Sequence, residues 1–389
     1  MSSNNIEIAS STQNQPQMPH HPQNSVPTTP IQSPKSSTSS PVYRATPSTP
    51  QQPQHPAESS KISNYYHKHH EIDHKITADD LRNFRVAYTS EIPDESEIKS
   101  IDFCASGMAG LYNTQNTIRF IWLDPERPQD HVLHVAKYGC GQCRFLNPYD
   151  KVIHTSTKSN DDLRLYNICK NGYDIYFKGH TAEVTGLDVF PLWHRNFVSA
   201  SKDNSVKFWD VRHQNCTKSI STKPYSIIAC HPKELQVAVA YPSDKTSYII
   251  EIYDLRTVDD DSPIIRLHFD GQESQWKLMK FSNNGKYLMI NTNSSLTIII
   301  DVDSGEMCRR LYGYNNKYRL PIETCFSPDS KFVLGGSQDG KVHIWNLETH
   351  DKDILDKPAT GSTGKIIFNP VFMCFATAGE KYHLWIEKE

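Results

Sequence analysis

One pattern recurs along most of the chain at a nearly constant interval, and that interval constrains the fold more than any other feature. Short runs rich in Val, Ile, Thr and Tyr lead into a large apolar or aromatic residue, then Asp or Asn, then a turn. The pairs are Leu123-Asp124, Tyr166-Asn167, Trp209-Asp210, Tyr253-Asp254, Ile300-Asp301 and Trp345-Asn346, with a last, partial one at Trp385. Successive spacings are 43, 43, 44, 47, 45 and 40 residues. A period in the forties that holds four short strands is that of a propeller blade. Helical repeats share this range of periods, but the β-branched residues and the two-residue alternation disfavour them. The expected fold is all-β: a seven-bladed β-propeller over residues 76–389 behind a disordered N-terminal tail, 1–75.

The tail is set apart by composition. Residues 1–60 hold eleven of the 24 prolines, no Leu, Phe, Trp, Cys or Gly, and only four charged residues. Such a stretch buries too little apolar surface to offset backbone ordering at about 1–2 kcal/mol per residue. Its readable chemistry is Ser/Thr-Pro, which makes Thr29, Ser33, Ser40, Thr46 and Thr49 candidate sites for proline-directed kinases. The following YYHKHHEIDH carries His67, His69, His70 and His74 but no second ligand pair, and reads as a solvated linker rather than a metal site.

The third repeat is the most complete: GHTAEVTGLDVFPLWHRNFVSASKDNSVKFWDVR. Gly179-His180, Ser199, Ser201, Asp203 and Trp209-Asp210 resemble a WD repeat, which implies a hydrogen-bonded His, Ser/Thr, Asp and Trp inside the blade. Tight turns leave backbone N–H groups needing partners, so these residues are expected to be structural and not a catalytic His-Asp-Ser set. The sixth repeat offers Ser337, Asp339 and Trp345 for the same purpose. Repeats one and four are eroded. The seventh, ending at the C-terminus, has residues for three strands, so the strand-like LRNFRVAYTSEI (81–92) is expected to complete it and spare the ring two bare edges.

Chemistry is conspicuous by what is missing. No GxSxG, HExxH, P-loop or GxGxxG stands in its required context, so neither an enzyme nor a cofactor is expected. Cys140-Gly-Gln-Cys143 lacks a partner pair and reads as packed strand cysteines; no metal is assigned. The nine cysteines are odd in number and scattered in apolar context, as in a reduced intracellular protein. The N-terminus lacks the basic start and apolar core of a secretory signal, and no apolar run approaches the ~20 residues of a membrane span. A net charge of −3 argues against direct nucleic-acid binding. Lys99-Ser-Ile101-Asp-Phe103 has the form of a phosphatase-docking motif, but the alternation buries Ile101 and Phe103 in a strand.

Over 78–389 the chain resembles the WD-repeat subunit shared by COMPASS-type histone methyltransferase complexes and by phosphatase and RNA 3′-end-processing assemblies. LRNFRVA (81–87), 179–216, RLYGYNNKY (310–318), 323–346 and 368–385 carry the match; the long tail lies outside the family pattern. The resemblance implies a non-catalytic nuclear scaffold. Its implied partners are a histone H3 lysine-4 methyltransferase catalytic subunit, the phosphorylated tail of RNA polymerase II and a phosphatase scaffold. The alternative is a substrate receptor of a cullin–RING ubiquitin ligase, with Arg212 and Arg256 of the WD-x-Arg patterns on its adaptor. The residue before the turn Asp in WD repeats faces one end of the ring, which nominates Lys202 and Gln338 as partner contacts.

Overall fold

The computed structural model describes residues 72, 75–92, 96–123, 131–146, 150–256, 262–272, 274–355 and 362–387. The five Ser/Thr-Pro sites and the patch histidines His67, His69, His70 and His74 lie outside these residues; Ile72, inside the expected tail, donates its N–H to Val371 O of blade seven at 2.9 Å. Among the described residues, seven four-stranded antiparallel sheets form a β-propeller, with strands a to d running from the axis outward. The innermost strands are Ser100–Phe103, Cys143–Leu146, Val184–Val189, Ile227–Cys230, Trp276–Phe281, Thr324–Phe326 and Thr363–Phe368.

Blades one to six each use four consecutive strands. Blade seven is closed by the N-terminal strand Phe84–Glu91, which pairs antiparallel with Lys381–Glu387, Phe84 opposite Glu387 and Glu91 opposite Lys381. The two ends of the chain therefore share one sheet, which leaves no bare edge at the seam. Residues Ala78–Arg82, just ahead of that strand, form a short helix, so Leu81 is helical where the sequence suggested a strand. The reason is local: Thr77 and Asp80 make a capping box that pays the open backbone donors of the first turn. Leu81 is still fully buried, packed with Ile76, Phe84 and Phe375, and Arg82 reaches Asp353 of blade six at 2.9 Å.

The core lies between blades, because each sheet is apolar on both faces. Between blades two and three, Leu165, Phe177, Leu187, Phe197 and Trp209 interdigitate, the last two stacked at 5.9 Å. Full burial of each such side chain contributes about 1.5–3 kcal/mol. Ile101 and Phe103 are buried between blades one and seven, so the docking-motif form at 99–103 is strand core. Strand c ends on Asn167, Asp210, Asp254, Asp301 and Asn346 in blades two to six but on Trp122 in blade one. The pattern pair Leu123-Asp124 was thus two residues late: alternation places Ile121 and Leu123 on the same face, so the apolar signal alone could not separate them.

Candidate functional site

Blade three contains a buried polar relay. Trp209 Nε1 donates to Ser199 Oγ at 2.8 Å, Ser199 Oγ lies 2.7 Å from His180 Nε2, and His180 Nδ1 lies 2.8 Å from Asp203 Oδ2. The set is consistent with one tautomer: neutral His180 donating from Nδ1 and accepting from Ser199. Burial pushes the His180 imidazole below its usual range, against the pull of Asp203. Burial raises Asp203, but hydrogen bonds from Ser205, His180 and the Thr181 N–H outweigh it and bring it to about 2. Every member is hydrogen-bonded to another member or to the turn. Ser201 stands outside the relay: its Oγ donates to Ala182 O at 2.8 Å and accepts from Asp203 N.

In blade six the expected copy of this set does not assemble. Ser337 Oγ accepts from Asn315 N and Asp339 from Lys341 N, whereas Trp345 Nε1 donates to Tyr312 O at 3.2 Å. Register shows why: Gly335 occupies the place of Ser199, and Tyr314 instead of a histidine packs edge-on against the indole as His180 does in blade three. Blade seven, by contrast, keeps the link, with Trp385 Nε1 on Thr377 Oγ1 at 2.9 Å. The sequence pattern passed over Thr377 because no turn Asp follows it.

The axial channel, with a cavity of about 910 Å³, is lined by charges that sequence reading did not single out. Asp102, Arg144, Asp188, Lys280, Glu323 and Lys365 come from six different blades. Asp102 accepts from Phe145 N and Asp188 from Cys230 N, each at 2.8 Å, so each carboxylate ties its blade to the next. Burial lifts Asp102 to about 6 in spite of Arg144. Burial also raises Glu323, but Lys365 at 2.6 Å and Lys280 at 3.6 Å outweigh it and bring it to about 2. Glu323 thus links Lys280 of blade five to Lys365 of blade seven across the channel wall.

The b–c turns and d–a connections lie at one end of the ring, because antiparallel strands return the chain there after every second strand. Lys202, half exposed and paired with Glu183 at 2.5 Å, sits on this upper face at the channel rim, near Tyr225. Tyr225 is 76% exposed with φ +64, a conformation costly for a bulky residue. Across the rim, Lys317-Tyr318-Arg319-Leu320-Pro321 is exposed throughout, with Tyr318 at 82% and Arg319 at φ +53. Gln338 serves this loop: its Oε1 accepts from Lys317 N at 2.9 Å and its amide reaches Asn316. Two exposed tyrosines and Leu320 thus share one end of the ring with Lys202, Lys223, Lys317 and Arg319, of which Lys202 is paired with the exposed Glu183. The sequence nominated Lys202 and Gln338; only the RLYGYNNKY match touched the tyrosine loop, and nothing in the pattern marked Tyr225.

Arg212 and Arg256 are engaged within their own blades. The Arg212 guanidinium grips Asp210 through Nε at 2.9 Å and Nη2 at 2.5 Å, and Arg256 grips Asp254 at 3.0 and 2.7 Å, with Glu234 at 3.2 Å. Each arginine caps the loop leaving its strand.

Comparison with known proteins agrees with this architecture. Residues 174–210 and 315–346 match the family model "WD domain, G-beta repeat". The chain is 33% identical over 309 residues to WD repeat-containing protein 82 of Drosophila melanogaster, covering 79% of this chain and 95% of that one. It is 31% identical over 311 residues to the COMPASS component SWD2 of Saccharomyces cerevisiae, covering 76% and 92%. A Schizosaccharomyces pombe protein described as Set1 complex component swd2 is 30% identical over 221 residues, covering 54% and 60%. Seven blades, a complete third repeat and this extent of identity place the chain in the WD-repeat family of WD repeat-containing protein 82 and the COMPASS component SWD2.

Proposed function

We propose that this chain is a non-catalytic scaffold subunit of a nuclear, COMPASS-like histone H3 lysine-4 methyltransferase complex. In this reading it binds the methyltransferase catalytic subunit and links the complex to chromatin and to the phosphorylated tail of transcribing RNA polymerase II. It is also shared with a phosphatase and RNA 3′-end-processing assembly. The observation that carries the proposal is the identity, over more than three quarters of the chain, to relatives of which one is named as a COMPASS component. The upper face supplies a docking surface in keeping with it: exposed Tyr225 and Tyr318 offer amphipathic area at low entropic cost.

The test is tandem affinity purification of the tagged full chain from nuclear extract, with and without residues 1–75. The methyltransferase catalytic subunit is expected in both eluates, and Lys202→Glu combined with Tyr318→Ala should lower its recovery at least about tenfold. A soluble bait that recovers no methyltransferase subunit overturns the proposal. Unchanged recovery with the double variant removes the upper face from it.

A further inference from the structure

The lower end of the ring, opposite the tyrosine loop, differs from the upper end in chemistry and in what arrives there. It is built from the a–b and c–d loops, and the a–b loops of blades three, four, six and seven place Pro191, Pro232, Pro328 and Pro370 on the wall of the axial channel. Proline has no N–H to offer, so this mouth presents ring carbons where the middle of the channel presents charge. Blade three extends the apolar rim with Leu192, also on the channel wall, and its neighbour Trp193, 60% and 42% exposed. Large apolar side chains open to water around a cavity mouth mark an interaction surface.

The chain itself leads to this mouth. Arg82 is held by Asp353 on the outermost strand of blade six. Followed backwards from there, Leu81 and Ile76 are buried between blades six and seven, and Ile72 donates its N–H to Val371 O at 2.9 Å. Ten residues thus carry the chain from the circumference to the a–b loop of blade seven, next to Pro370 on the channel wall. That loop is a firm anchor. Asn369 Oδ1 accepts from Val371 N and Phe372 N, both at 2.9 Å, and its amide donates to Gly107 O of blade one.

The residues immediately before Ile72 are KISNYYHKHHE (61–71), with two adjacent tyrosines six and seven positions away. Six or seven extended residues span about 20–25 Å. Seven sheets packed about 10 Å from one another make an inner ring about 23 Å across, so the tyrosines can reach blade three on the far side. We propose that residues 61–71 lie across the lower mouth of the channel, with Tyr65 and Tyr66 packed on Leu192 and Trp193. Tyrosine suits the place: its ring covers proline and leucine carbons while its hydroxyl stays at the wet edge. The tether makes even a weak contact count. At an effective concentration of about 1 mM, a docking affinity of only about 0.1 mM keeps the mouth covered about nine-tenths of the time. The segment is an intramolecular plug, and a partner that uses the lower face must first displace it.

The experiment uses the full chain with Leu192→p-benzoylphenylalanine, irradiated as a dilute mixture of isotope-labelled and unlabelled copies and mapped by peptide mass spectrometry. The expected crosslink joins position 192 to the peptide that carries Tyr65 and Tyr66 within a single copy. Amide exchange of the chain without the photoreactive group is the second readout. Tyr65→Ser with Tyr66→Ser should speed exchange over residues 192–195 at least about tenfold and leave the 315–320 loop of the upper face unchanged. Both tyrosines precede Ile76, the first core residue among those described, so the melting temperature should not move. A crosslink between copies makes a second molecule the occupant and overturns the proposal. A crosslink to another part of the chain, no crosslink, or unchanged exchange in the tyrosine variant overturns it equally.

Discussion

Blades three and six carry nearly the same turn signature, Ser-Lys-Asp at 201–203 and Ser-Gln-Asp at 337–339, each followed by a Trp on strand c. Their interiors differ. In blade three, Ser199 joins Trp209 to His180, and the relay ends on the turn Asp. In blade six, Gly335 breaks that chain at its middle link; the turn instead holds a neighbouring loop through Gln338 and Ser337. A polar relay that is complete turns inward and stiffens its own blade. In blade six Ser337 and Gln338, whose blade-three counterparts Ser201 and Lys202 also lie outside the relay, hold the loop that presents Tyr318 on the surface.

The largest expected effect tests what both blades presuppose, a closed ring. Starting the chain at Ser96 removes Phe84–Glu91 and with it the outer strand of blade seven, so insolubility or a steep fall in melting temperature is expected. A soluble product melting unchanged would show that closure contributes nothing. Next is Gly335→Ser, which restores blade six's missing hydroxyl on paper. A Cβ there would meet Thr324 Cγ2 and Trp345 Cζ3, both at 2.8 Å, because the six-membered edge of that indole faces Gly335 and its N–H points away. Urea unfolding should therefore show a loss of about 1–3 kcal/mol from overpacking, and a gain in stability would overturn this account of blade six.

The comparison sharpens with Trp209→Phe and Trp345→Phe. Losing the indole N–H in blade three leaves the buried Ser199–His180 link without its donor, at a cost of about 1–3 kcal/mol. In blade six the orphan is a carbonyl at the half-exposed Tyr312, so about 1 kcal/mol or less is expected. Equal losses would mean that the relay has no energetic role of its own.

The smallest effect is in pH. Burial, helped by Lys352, lowers His343 of blade six to about 4, and burial lowers His180 of blade three. Above the unfolded value of ~6.5 both states are neutral and the stability is fully present. As pH falls below it the unfolded chain takes up protons that the fold resists, so stability is lost toward pH 4. Asp102, lifted to about 6, acts in the opposite sense and blunts the loss. Melting temperature should fall by a few degrees between pH 7 and 5, and His343→Gln should flatten the slope more than His180→Gln. The reverse ranking would make the blade-three imidazole the more costly one to protonate.

Much of the ring was legible one repeat at a time. The period sets the number of blades, alternation sets which residues are buried, and the turn Asp marks where strand b gives way to c. Even the closing strand was readable, because a three-strand final repeat needs a fourth from the other end. Legibility failed where neighbours rather than the chain's own run decide: the Leu123 placement slipped by two, and Ser337, Asp339 and Trp345 of blade six looked set to repeat the blade-three bonds until Gly335 was set against Trp345.

The sequence alone thus determined the seven-fold division, the inward position of Trp209 and Ser199 and the structural duty of Asp203, all of them properties of short-range periodicity. Only the tertiary structure decided which charges meet across the channel, that Tyr225 and the Tyr318 loop share one face, and that Ile72 is held at Val371 beside the lower mouth of the channel. Those groupings join residues from different strands and blades, brought together by ring closure, and no local pattern along the chain encodes such a distance.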